Sequence, residues 1–266
     1  MHITWTTDIH LDCSSSEAKE HWLTEIRQDK GQALLITGDI SDGHHVCTDL
    51  AWLATQYPNP IYFVLGNHDY YHRNFASVDE EISTLCKRHS NLIWLDLHGP
   101  VALSKTTQLI GHTGWGDAQN GDFLSTPIRI NDHRLIEDLS NRPRTELQNI
   151  LQQRGHQAAQ YIEHTFQQAL TYNPTTIIIA THVPPYPESA WYQEYAGAFD
   201  WIPDFTCKAV GDTILRLATE NSTIQIQVYC GHGHSPGYVQ MSSNLEVFTG
   251  KAEYGHPCIA GQILYA

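Results

Sequence analysis

Five apolar runs in this chain end directly in residue types that bind metal ions. The run 3–7 leads into Asp8-Ile9-His10, 34–37 into Gly38-Asp39, and 61–65 into Gly66-Asn67-His68-Asp69. Further along, 177–181 leads into His182, and 224–230 into Gly231-His232-Gly233-His234. Short runs of this kind, rich in β-branched residues and punctuated by glycine, read as buried strands. Ligands of open α/β sheets bind beyond the carboxyl ends of strands, so these residues can converge although they are far apart in sequence. Gly38, Gly66 and Gly231 each stand just before a candidate ligand, where an abrupt strand end needs a permissive backbone.

Helical patterns at 17–28, 45–55 and 78–88 separate the first runs. Strand–helix alternation at this spacing argues for βαβ units and a parallel core sheet. Further strands are expected at 92–95, 101–103 and 108–111, and a long polar-faced helix at 144–169. The stretch 115–143 is irregular, and short segments after Pro236 could finish an antiparallel edge. The order suggests an α/β fold of two facing sheets with helices outside. The chain has 266 residues, 41% of them hydrophobic, enough for one large core. No linker, repeat or low-complexity tract divides it, so one domain over 1–266 is expected.

The formal net charge is −14. Binding duplex nucleic acid requires cationic surface to displace counterions, so long polyanions are not expected as general partners. Bound divalent ions would add positive charge locally. None of the six cysteines forms a CxxC pair, which gives no sign of a zinc ribbon or a redox site. The first residues lack the basic start and long apolar run of a signal peptide, and no run is long enough to span a bilayer. The resulting expectation is a soluble cytoplasmic protein with reduced thiols.

His imidazole, Asp carboxylate and one Asn amide form a borderline N/O donor set that suits Mn, Fe or Zn. A bridging carboxylate can hold two such ions ~3.5–4 Å apart, the spacing of two-metal hydrolysis. Each motif alone has a plain structural explanation. All five, in this order and each after a strand, do not.

In this set the chain resembles the calcineurin-like metallophosphoesterase superfamily, whose motifs are D-x-H, G-D, G-N-H-D/E, a later His, and G-H-x-H. They stand here as Asp8/His10, Gly38/Asp39, Gly66 to Asp69, His182 and His232/His234. The resemblance implies a four-layer sandwich of two mixed β-sheets flanked by helices. It implies that Asp8, His10, Asp39 and His234 hold one metal, and that Asp39, Asn67, His182 and His232 hold the other, with Asp39 bridging. It places His68 near the leaving group, as a catalytic residue and not a ligand. Asp42, in Gly38-Asp39-Ile40-Ser41-Asp42, matches the G-D-x-x-D spacing of the protein phosphatase branch, where the second Asp orients the catalytic His. That branch's following Arg is absent, since Gly43-His44 stands there. Gly233 occupies a position where many members have Thr.

The resemblance fixes phosphate ester hydrolysis more firmly than it fixes the substrate. A small phosphodiester or phosphomonoester, a nucleotide included, fits the acidic charge. A nuclease or a non-catalytic scaffold of the same fold are the alternatives. Two loops, 113–143 and 184–206, are placed to select substrate, with Trp115, Asp117, Tyr186 and Trp191 as candidate contacts. Their aromatic rings could stack on a base, or pack on one another and close the site. Arg129 and Arg134 are the nearest cations for a second phosphate or a carboxylate.

Overall fold

The apolar runs are unbroken because their strands are buried on both faces. The structure, a computed structural model, describes residues 1–192, 195–196 and 200–265. In the first sheet β1 (His2–Thr6), β2 (Leu34–Thr37), β3 (Ile61–Val64) and β4 (Leu92–Trp94) lie parallel. The last strand, β13 (Gly261–Leu264), pairs antiparallel with the free edge of β1. The second sheet runs in the order β11 (Gly237–Ser242), β12 (Leu245–Thr249), β10 (Gln225–Cys230), β7 (Thr176–Ala180), β6 (Thr107–Gly111) and β5 (Val101–Ala102). It is parallel at its centre and antiparallel at both edges.

Alternation of side chains along the strands divides the interior into three cores. Leu34 and Ile36 of β2 and Phe63 of β3 face outward, against Leu23 and Ile26 of α1 (Ser16–Asp29), Leu50 and Leu53 of α2 (Val46–Gln56), and Val78 and Ile82 of α3 (Phe75–Arg88). Their neighbours Leu35 and Val64 face inward, against Leu109, Ile178, Ala180 and Tyr229 of the second sheet. On that sheet's far side, Ile177, Ile179, Ile226 and Val228 meet Ile162 and Phe166 of α6 (Arg144–Leu170) and Ile214 and Leu217 of α8 (Lys208–Glu220). Helices, sheet, sheet and helices form four layers. This is the expected α/β architecture of two mixed sheets flanked by helices.

The expectations needed correction in three places. Helix α8 had not been anticipated, although Val210, Ile214, Leu217 and Ala218 recur at helical spacing and are buried. After Pro236, β11 does form an antiparallel edge, but β12 lies parallel beside β10, and β13 crosses to the other sheet. The loop 184–206 contains a hairpin of β8 (Trp191–Tyr192) and β9 (Tyr195–Ala196) and the single turn α7 (Ile202–Phe205), while its residues 193, 194 and 197–199 lie outside the described residues. The loop 113–143 is irregular apart from one turn, α5 (Asp132–Leu135). Among the described residues no helix is long and apolar enough to cross a membrane.

Asp69 pins the strand ends together. It is fully buried, and its Oδ1 accepts the Ile40 and Ser41 amides at 3.0 and 2.9 Å while Oδ2 accepts the Gly66 amide at 2.8 Å. One carboxylate thus satisfies buried N–H groups beyond both β2 and β3. Asp69→Ala would orphan all three. Each buried orphan costs about 1–3 kcal/mol, so denaturant unfolding should register a loss of at least about 3 kcal/mol. A variant as stable as the parent would mean that the loops hold themselves.

Candidate metal centre

The strand ends that carry the expected ligands are conformationally strained. Asp8, His10, Asp39, His232 and His234 all have φ between 39° and 70°. They make up half of the ten non-glycine residues described in the left-handed region, which costs an L-residue about 1–3 kcal/mol and concentrates at functional sites. Gly38 has φ 87° and needs its conformational freedom. Gly66 and Gly231 are glycine for a different reason from the one expected, namely space. A Cβ at Gly66 would stand 2.1 Å from Asp39 Oδ1, and one at Gly231 would stand 2.1 Å from Asp8 Oδ2. The loops after β1 and β2 are laced together by Asp8 N–H to the Gly38 carbonyl at 3.0 Å and His10 N–H to the Asp39 carbonyl at 3.1 Å.

These loops bring two groups of donor atoms together, Asp8, His10, Asp39 and His234 in one and Asp39, His182 and His232 in the other. Asp39 belongs to both. Its Oδ2 lies 3.9 Å from His10 Nε2, and its Oδ1 lies 3.4 Å from His182 Nε2. On the first side His10 Nε2 and His234 Nε2 stand 3.1 Å apart, and His234 Nε2 is 3.3 Å from Asp8 Oδ1. Asp8 is held in place by the His232 amide, which donates to its two oxygens at 3.0 and 3.1 Å.

On the second side ring nitrogens and oxygens crowd one another, and the buried His232 Nε2 has no hydrogen-bond partner among the described residues. His182 Nδ1–H donates to the Thr37 carbonyl at 2.9 Å, which leaves a lone pair on Nε2. That lone pair faces Asn67 Oδ1 at 3.0 Å and Asp39 Oδ1 at 3.4 Å. His232 Nδ1 completes the group at 3.2 Å from His182 Nε2. Burial, then Asp8 and Asp69, pushes the Asp39 carboxyl well above its usual range. Burial also pushes His182 and His232 down, and His10 down to about 2. Converging lone pairs on neutral imidazoles and on carboxylates crowded by their own kind are what metal cations relieve. The residues present fit a pair of ions.

A family model described as calcineurin-like phosphoesterase matches residues 1–236. The chain belongs to that family. This calcineurin-like phosphoesterase resembles solved structures across nearly its whole length. One is a phosphopantetheinyl hydrolase from Mycobacterium tuberculosis, at 10% identity, covering 96% of this chain and 90% of that one with a TM-score of 0.65. Another is a dimetal phosphatase from Danio rerio, at 13% identity, covering 94% and 87% with a TM-score of 0.58. At such identities the likeness speaks for the fold. No curated protein matches the chain. Family, fold and the buried Asp/His groups together make it a metallophosphoesterase with a dimetal site.

Around the phosphoesterase centre, His68 is close, and Asp42 acts on it through charge without a hydrogen bond to it. His68 Nε2 lies 3.9 Å from Asp39 Oδ2, its ring packs on Tyr71 at 4.2 Å, and its amide donates to Asp39 Oδ1 at 2.9 Å. Asp42 accepts the amides of His44 and His45 and pairs with His45 Nδ1 at 2.7 Å, so its hydrogen bonds turn the chain into α2.

A cavity of about 310 Å³ opens over Asp39, His68, His232 and His234. None of Trp115, Asp117, Tyr186 and Trp191 lines it. Trp115 is buried beside Phe75 and under the Arg154 guanidinium. Asp117 accepts the Ala209 amide at the start of α8. The buried Tyr186 hydroxyl donates to the Gly211 carbonyl. Trp191 packs against Gly237 and faces a separate apolar crevice with Trp201 and Phe205. Three of the four were claimed by packing or by helix capping. The cavity wall comes instead from Tyr71, Arg129, Asp132, Trp201, Phe205 and Tyr254. Arg129 was foreseen. Arg134 is turned to Asn131 Oδ1 instead. Tyr254 lies beyond the last motif in a segment without periodicity, yet its ring is 4.3 Å from that of His10.

Because Asp39 serves both groups, Asp39→Ala should remove both ions, while His10→Ala and His182→Ala should each weaken one. Metal analysis of Mn-loaded protein reads this directly. An Asp39→Ala protein that keeps one ion at full occupancy would separate the two groups.

Proposed function

We propose that this chain hydrolyses a small phosphodiester or phosphomonoester, a nucleotide among the candidates, over metals held by Asp8, His10, Asp39 and His234 and by Asp39, Asn67, His182 and His232. The observation that carries this reading is the cavity of about 310 Å³ over the ligand cluster. Its size is that of a small-molecule site. Among the described residues Arg129 is its one Lys or Arg side chain, which is too little positive charge to track a polymer backbone. When bound, Mn, Fe or Zn ions would supply Lewis acidity and lower the pKa of water toward neutrality.

The chain's own residues do the rest. Asp39 turns one oxygen toward each ligand group and takes the His68 amide, which fixes where the His68 ring starts. His68 Nε2 faces the cavity, 3.5 Å from the Tyr254 hydroxyl. Burial, then the field of His182, holds His68 down to about 3, so at neutral pH its imidazole is neutral and donates one N–H. A bound phosphate brings negative charge beside it, which favours the protonated ring and allows it to pass a proton to the departing oxygen. Arg129 and Tyr254 line the cavity, and a second charged or polar group of the substrate would meet them there.

His68→Ala should keep both metals and lose about 10²–10⁴-fold in kcat, the usual worth of acid assistance. The loss should shrink for a nitrophenyl ester, whose leaving group departs without help. Loss of metal in this variant would make His68 a ligand and overturn its assigned role. Across a panel assayed with Mn, small phosphoesters should be turned over better than long DNA. Efficient degradation of long DNA would overturn the substrate class and leave the metal chemistry standing.

A further inference from the structure

Asn67 is the one amide among the expected ligands, and an amide can present the wrong atom. Turned by 180°, its amide would offer an NH2 group to the metal in place of oxygen. Its Nδ2 donates to Asp132 Oδ1 at 2.8 Å and to the Tyr71 hydroxyl at 3.3 Å, and the Tyr71 hydroxyl donates to the same Asp132 oxygen at 2.8 Å. An ionised carboxylate accepts only, so Asp132 selects the NH2 end and leaves Oδ1 facing His182 Nε2 at 3.0 Å. Asp132 is buried, 65 residues along the chain from Asn67, and comes from the loop that walls the cavity, not from a strand end. That loop is itself tied to another segment of the wall. The Thr126 hydroxyl donates to the Asp200 carbonyl at 3.0 Å, and the Ala118 amide donates to the Pro203 carbonyl at 2.9 Å. On the Asp8 side the wall meets the ligands by ring packing, Tyr254 on His10 and His234, while Asp8 itself is aligned by the strand-end amide of His232.

We infer that Asp132 is a positioning residue for the metal on the Asn67 side, so that this metal and the cavity wall stabilise each other. A seated wall presents the amide oxygen, and an ion on that oxygen holds the wall. Linkage makes the two effects equal in size. The inference rests on reading Asn67 as a ligand.

The test is calorimetric titration of the metal-free protein with Mn2+, alongside hydrogen exchange of residues 129–136. Two equivalents are expected in the parent protein. Asp132→Leu should weaken one of them by about 10–100-fold, the usual effect of removing a group that orients a ligand, and leave the other unchanged. Asp132→Asn keeps an acceptor oxygen and should restore most of the loss. Mn2+ should slow exchange at 129–136 in the parent protein and not in Asp132→Leu. Both equivalents unchanged, or both weakened alike, would overturn the inference. Thermal unfolding of the metal-free variants shows whether they are folded. Should Asp132→Leu not fold, Tyr71→Phe decides, since a weakening at one equivalent supports the inference and no change at either overturns it. Asn67→Ala separates the two readings. If it weakens neither equivalent, the ligand assignment fails. If it weakens one and Asp132→Leu does not, only the positioning role fails.

Discussion

The organisation of this molecule depends on one crowded buried cluster, in which His182 Nε2 faces the oxygens of Asn67 and Asp39 and a ring nitrogen of His232. The Thr37 carbonyl takes the other His182 nitrogen, so the lone pair on Nε2 calls for a proton from His232 Nδ1 or from the Asp39 carboxyl, or for a cation. A buried polar cluster left in this state costs stability. Metal ions convert the same atoms from a repulsive set into a coordinating one. Much of the surrounding structure holds these atoms together against their preference to separate.

That holding force comes from backbone and packing. Five ligand residues sit in the left-handed region, and each costs something to keep there. The cost is carried by parallel strands buried on both faces, by loops laced through backbone hydrogen bonds, and by Asp69, which fastens the ends of β2 and β3 to each other. At Gly66 and Gly231 the chain gives up a side chain so that a carboxylate can lie directly against the backbone. Three cores in four layers leave the strand ends little room to relax.

The cavity wall follows a different logic. Trp115 and Tyr186 are consumed in packing, and Asp117 caps α8, so these residues make the long loops rigid instead of touching the cavity. Of the two outcomes open to the loop aromatics, packing and closing the site prevails for Trp115 and Tyr186, while Trp201 and Phe205 reach the cavity edge. Among the described residues four separate chain segments build the wall: the segment carrying Tyr71, the turn at Asp132, the α7 turn and the segment carrying Tyr254. A site closed this way is small, and its lining has little positive charge.

How much could be read from the sequence differs between centre and wall. Strand periodicity and the motifs at Asp8/His10, Asp39, Asn67, His182 and His232/His234 are local patterns, and each is written within a few residues of the strand that presents it. The α/β class and the gathering of donor groups were therefore legible, because a buried strand leaves its end residue little choice of direction. Helix α8 carried a readable period and was passed over. The pairing of β13 with β1 and the parallel placement of β12 beside β10 were not legible, since strand partnership depends on which edges remain free after the rest has packed. Spacing suggested Asp42 as the partner of His68, but tertiary structure gave it to His44 and His45. Asp132, Tyr71 and Tyr254 carry no motif. Their place at the centre was decided only when distant loops closed over it, because a hydrogen bond across 65 residues leaves no trace in local spacing.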